Sequence, residues 1–133
     1  MTSLPLISKH AQKRSAHGLD WIFDQFEREP GVSLGRMFHC DVLYLDDALC
    51  LGIASGDEPW SGLLVCTCHL HQASLRGEIP DLNPHPILKK WLYVSQHSAN
   101  FEHAARAVVE LVLSRDTRIG VRRQARRGRS WRE

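Results

Sequence analysis

VSLGRMFHCDVLYLDDALCLGIAS, residues 32–55, shifts the apolar spacing of the chain from 3.6 to 2, the period of a strand. Two strands joined at Asp46-Asp47 satisfy it, because a two-residue link suits a tight hairpin and acidic residues are a normal turn solution. With Leu45 opposite Ala48, alternation places Cys40, Val42, Tyr44, Leu49, Leu51 and Ile53 on one face. Leu43, Leu45, Ala48, Cys50 and Gly52 share the other. The first face is the more apolar and is the expected core side.

Upstream, Leu19, Ile22, Phe23 and Phe26 fall at i, i+3, i+4 and i+7, which predicts a helix over 15–29. Pro30 cannot continue that helix and Gly31 can turn the chain. Residues 1–14 have no period and read as a mobile arm. Downstream, SGDEPWSG (55–62) is turn chemistry, and Leu63 to Leu70 reads as a third strand. GEIPDLNPHPILKK (77–90) holds three prolines and reads as an irregular connection. Trp91 to Val94 reads as a fourth strand. Ser98 or Asn100 can then cap a helix with Phe101, Ala104, Ala105, Val108, Leu111 and Val112 as its apolar stripe, ending near Asp116. The expected fold is α+β: an antiparallel sheet of about four strands, with N- and C-terminal helices packed on one face of a domain spanning 15–117. Residues 118–133 read as a basic, flexible tail with no face to bury.

At 133 residues, 43% hydrophobic and 24% charged, the chain is long enough for one core-bearing domain. No apolar run is long enough to cross a bilayer, and the N-terminal apolar and basic residues stand in the wrong order for a secretory signal. The expectation is a cytoplasmic protein without a membrane partner, its four cysteines reduced. The net charge of +2 conceals an asymmetry. Residues 1–117 carry 10 Lys/Arg against 14 Asp/Glu, or −4; residues 118–133 carry 7 against 1, or +6.

The segment 31–53, with Val32-Ser33, Arg36-Met37-Phe38 and Leu43-Tyr44-Leu45-Asp46, resembles the opening of the TfoX N-terminal-like family. Residues 83–116 resemble that family's later block and its closing amphipathic helix, and Gly62 to Cys68 falls where the family has a strand. The resemblance covers about 17–116. It departs where a family Gly pair is replaced by His39-Cys40, and where a basic strand residue is replaced within Cys66-Thr67-Cys68. It implies a small α+β domain related to the YjbR-like proteins. The founding members regulate bacterial competence, promoting transcription together with a DNA-bound activator. They usually carry a further helical domain, for which this chain has no room. The family has no established catalytic residues, so none is carried over.

CTCHLH (66–71) is the densest run of potential ligands. On a strand, Cys66 and Cys68 share one face and His69 and His71 the other, so the four cannot converge on one metal. C-x-C also departs from the usual C-x2-4-C zinc spacing. Buried thiols are the plainer reading, and a metal site needs Cys40 to join Cys66 and Cys68. The histidines are expected on the solvent side of the sheet. Arg36 is an anion-binding candidate, or else it covers apolar surface or pairs with Asp20 or Asp24. No G-x-S-x-G, P-loop, G-x-G-x-x-G or H-E-x-x-H occurs, so no catalytic residue and no cofactor is expected. Arg118, Arg122, Arg123, Arg126, Arg127, Arg129 and Arg132, with Trp131, suit phosphate contact and base stacking. The functional expectation is a non-enzymatic regulatory or protein-interaction module, with a protein partner or as a homodimer. Nucleic-acid binding through the tail is the second expectation, and a metal or thiol site at Cys40, Cys66 and Cys68 the third.

Overall fold

The computed structural model describes residues 18–122. Its elements are α1 (Asp20–Asp24), β1 (Val32–Met37), β2 (Cys40–Leu45), β3 (Ala48–Ser55), β4 (Ser61–Val65), α2 (His69–Glu78), β5 (Asn83–Pro84), β6 (Leu92–Ser95), α3 (Phe101–Leu113) and β7 (Val121–Arg122). The strands form one seven-stranded sheet in the order β1-β2-β3-β4-β6-β5, with β7 paired to β3. All the described pairings are antiparallel. The expected four-stranded sheet with two terminal helices is therefore corrected, among the described residues, to seven strands and three short helices.

The 32–55 stretch makes three strands, not two. Leu45 does oppose Ala48 across Asp46-Asp47. An additional hairpin turns at Phe38-His39, so that Met37 opposes Cys40. Both turn residues take positive φ, 54° and 65°. That conformation is normally reserved for Asn-Gly in a two-residue hairpin, so the turn carried no sequence signal.

The expected core face is also corrected. Leu43 opposes Leu51 but Tyr44 opposes Leu49, leaving Cys50 as an extra residue in β3. A bulge of this kind flips the alternation beyond it. Leu43, Leu45, Cys50, Leu51 and Ile53 consequently join the main core. Cys40, Val42 and Leu49 pack in a smaller cluster on the opposite face. All three helices contribute to the main core, through Ile22, Phe23, Leu75, Val108 and Val112 among others. The predicted first helix shortens to α1 followed by i→i−3 turns (Phe26 N to Phe23 O, 2.9 Å; Glu29 N to Phe26 O, 3.0 Å), which keep Phe26 buried.

The third strand stops at Val65 rather than Leu70. Cys66-Thr67-Cys68 is a connector, and α2 begins at His69. Only Leu75 is buried along α2 while Leu70 is 80% exposed, so no apolar stripe announced this helix.

The fold also continues past 117. Ile119 is buried, Gly120 N donates to Cys66 O (2.8 Å), and β7 extends the edge of β3 beyond the end of β4. Arg118 makes this possible by neutralising its surroundings: it contacts both Asp116 (2.8 Å) and Glu78, and reaches Ser74 Oγ (2.7 Å). Residues 1–17 and 123–133, including the whole of the expected arm and most of the expected tail, lie outside the described residues.

Candidate functional site

A groove of about 390 Å³ lies between the β1–β2 turn, the start of α2 and the loop 85–91. Phe38, Ile87, Leu88 and Trp91 line it with apolar and aromatic surface, and His69, Lys89 and Lys90 supply its polar wall. The β1–β2 turn presents Phe38, 49% exposed, against two tryptophans. Its ring lies 6.3 Å from Trp60 at 29° and 6.1 Å from Trp91 at 76°. Holding a bulky residue in the left-handed region costs on the order of 1–3 kcal/mol, and such strain clusters at functional positions.

The loop that forms the opposite wall is built around His85, which is 1% exposed. Its Nδ1 accepts from the backbone N–H of Ile87 (3.1 Å) and Leu88 (2.9 Å). The ring proton therefore sits on Nε2, which donates to Pro59 O (2.9 Å). His85 N donates to Trp91 O (2.9 Å) and closes the loop. From α2, Gln72 Nε2 donates to the carbonyls of Lys89 (2.8 Å) and Lys90 (2.9 Å). With the backbone pinned from both sides, Ile87, Lys89 and Lys90 point their side chains outward and are exposed. Neither lysine makes an ion pair or hydrogen bond with its ammonium among the described residues. Arg36, Arg106, Arg115 and Arg118, by contrast, are all held by carboxylates.

Beneath the loop, His85 packs on Trp60 (4.5 Å between ring centres) and edge-on to Tyr93 (5.3 Å). Tyr93 OH donates to Glu58 Oε1 (2.7 Å) and accepts from Ser61 N (2.8 Å). Burial, then the Glu58 hydrogen bond, pushes the phenol pKa up, while the Ser95 hydroxyl leads in holding Glu58 below the usual carboxylate range.

Burial likewise holds His85 below the ordinary 6.5 of imidazole. The unfolded chain then binds a proton below about pH 6.5 that the folded chain refuses, so stability present above that pH is lost as the pH falls. Urea midpoints are expected to fall from pH 7.5 to pH 5, and His85→Asn, which keeps an acceptor but does not titrate, should flatten that slope. Parallel slopes in the two proteins would assign the titration elsewhere.

Of the three thiol candidates, Cys40 and Cys66 pack in the same small cluster on the groove face. Cys40 and Cys66 are buried and Cys68 is half-buried just ahead of α2. Burial raises the Cys40 thiol to about 11 and Cys66 well above its ordinary 9.0, so both stay protonated near neutrality. No group of three or more His, Cys, Asp or Glu able to hold a metal ion occurs among the described residues. His69 and His71 lie on α2 rather than on a strand. Arg36 donates to Asp41 Oδ1 (2.7 Å), its partner across β1–β2, so the guanidinium expected to meet an anion is already engaged. Of the expected nucleic-acid contacts, Arg118 is committed to Asp116 and Glu78, and Arg122 donates to Asp46 O (3.1 Å). Arg123, Arg126, Arg127, Arg129, Trp131 and Arg132 lie outside the described residues.

Phe38, Lys89, Lys90 and Trp91 did not stand out as a site in the sequence, although LKKW (88–91) sets two cations beside an aromatic. The missing signal was the unseen β1–β2 turn, which alone brings Phe38 to them. No helix among the described residues is long and apolar enough to cross a membrane. The chain matches no protein-family model, no curated protein and no solved structure.

Proposed function

We propose that the chain is a non-enzymatic binding module for single-stranded nucleic acid. The observation that carries this reading is the coincidence, in one groove, of exposed aromatic surface with two lysines that no carboxylate neutralises. Aromatic faces accept any base by stacking, and flanking cations meet the phosphates, a combination that needs no sequence readout. The arginines of 122–132 add charge of the same sign. Four unpaired thiols suit a reducing compartment, and we place the protein in the cytoplasm.

Fluorescence titration with an oligo(dT) probe tests the groove. Phe38→Ala is expected to weaken binding about tenfold, or ~1.4 kcal/mol, the range of one stacked base. Lys89→Ala with Lys90→Ala should lower the slope of log affinity against log salt by about 1.4, or ~0.7 per phosphate contact. Affinity and salt slope unchanged in both variants would overturn the reading.

Leu70 and Ile87, 80% and 60% exposed, favour a second reading: a regulatory module with an apolar protein interface, as the TfoX-like resemblance of 31–53 and 83–116 implies. In its homodimeric form, that reading expects a concentration-dependent dimer in sedimentation that Leu70→Ser with Ile87→Ser abolishes. A monomer at all concentrations removes the homodimer.

A further inference from the structure

His85 lies between Pro84 and Pro86, two residues without a backbone N–H, at the root of the loop that walls the groove. Beyond Pro86 the backbone is irregular until β6 begins at Leu92. The N–H groups of Ile87 and Leu88 meet no carbonyl among the described residues. Both donate instead to one atom, His85 Nδ1, at 3.1 Å and 2.9 Å. The residues held this way are the wall itself: Ile87, Leu88, Lys89 and Lys90 line the groove beside Trp91.

These two bonds exist in one protonation state only. A neutral imidazole has one N–H and one bare nitrogen, whereas the imidazolium has two N–H groups and accepts nothing. With Nε2–H held by Pro59 O, the bare nitrogen is Nδ1, and an added proton has no other place on the ring. Three donors would then face one another around a ring that is 1% exposed, and buried donors are not left unmet without cost. The remaining ties of the loop do not help. Gln72 holds the carbonyls of Lys89 and Lys90, and Trp91 N holds the carbonyl of Leu88, so none of them takes up the freed N–H groups.

The charged groups around the ring come from four segments. The 55–60 turn carries Asp57, exposed, and Glu58, which is engaged by Tyr93 and Ser95. β6 brings Tyr93, whose phenol stays protonated and lies edge-on to the ring. The loop itself carries Lys89 and Lys90, both exposed, and α2 brings His69 to the groove. Burial is the main influence keeping the imidazole neutral, and the bond to Pro59 O works against it.

Resting on the groove reading above, we infer that His85 is the positioning residue of the groove: the loop keeps its shape, and the groove its single-stranded nucleic acid, only while the imidazole is neutral, so that acidification releases the strand. The sign sets this apart from charge alone. A phosphate-binding surface gains affinity as its histidines acquire charge, and His69 works in that direction. His85 works against it, because its proton dismantles the wall. Linkage makes the effect reciprocal: a bound strand should lower the pH at which His85 titrates.

The test is an oligo(dT) titration of the full chain from pH 7.5 to pH 5 at constant ionic strength, over the range in which near-ultraviolet circular dichroism reports an intact fold. Affinity is expected to fall about threefold or more, as the fraction of chains with a closed loop falls. His85→Asn, which offers an acceptor that does not titrate, should remove the fall. His103→Gln, on α3, should retain it. The ring resonances of His85, followed by NMR in the intact chain, need no variant: their titration midpoint should move to lower pH when oligo(dT) is bound. An affinity that stays constant or rises toward pH 5 overturns the inference, as does an equal fall in His85→Asn or an unmoved midpoint. If Phe38→Ala still weakens binding at pH 7.5 alongside any of those results, only the role of His85 is lost. Phe38→Ala and the paired lysine variant both without effect at pH 7.5 sink the groove reading with it.

Discussion

Gly62→Ala is expected to destabilise the fold by on the order of 3 kcal/mol, at the upper end for an overpacked site. Gly62 sits in β4 opposite Ser95 of β6, where the two strands approach closely. A Cβ added there would collide with the carbonyl of Val94, 2.8 Å from Gln96 N and 2.9 Å from Ser95 Cα. These are backbone atoms, and no rotamer change removes them. Relief requires β4 and β6 to part, which breaks Gln96 N to Ser61 O (2.9 Å) and loosens Ser61 N to Tyr93 OH (2.8 Å). At a few degrees per kcal/mol, the melting midpoint should drop by on the order of 10 °C. Gly77→Ala in α2, with nothing within 4 Å of the added carbon, is the control and should be neutral or slightly stabilising. A Gly62→Ala midpoint equal to that of Gly77→Ala would show that β4 and β6 are not packed so closely.

Phe26→Ala should cost about 3–5 kcal/mol, the range for emptying an aromatic site in a core. Phe26 is fully buried with Leu19, Ile22 and Phe23 in the main cluster. A loss of that size is a large share of the 5–15 kcal/mol typical of a domain. The Leu88 and Trp91 side of the groove rests on the small cluster, which shares no residue with the main one. Oligonucleotide affinity measured well below the lowered midpoint should therefore match that of the intact chain. A parallel loss of affinity and stability would show that the two faces are coupled through the sheet.

What the sequence made legible follows from where periodicity is strong. The stripe from Phe101 to Val112 is an amphipathic helix in the structure, and the Asp46-Asp47 hairpin is in register. The bulge at Cys50 could not be read, because one extra residue reassigns every later side chain while leaving composition unchanged. Helix α2 was hidden for a different reason: one buried residue in ten leaves no period. β7 was hidden by charge, since Ile119 and Val121 sit among arginines whose neutralisation by Asp116 and Glu78 depends on tertiary placement. The site suffered most. Its members come from residues 38, 69 and 87–91, and only the unrecognised turn and helix bring them together.

The left-handed pair Phe38-His39 makes this protein a poor subject for optimisation by stability alone. Any procedure scoring backbone fit would write Asn-Gly at these positions and relieve strain at both. The product would be a sturdier hairpin whose tip no longer faces Trp60 and Trp91. A consensus or redesigned version of the chain that melts higher and has gone silent would have been improved at the one turn where ease of folding and recognition compete for the same two residues.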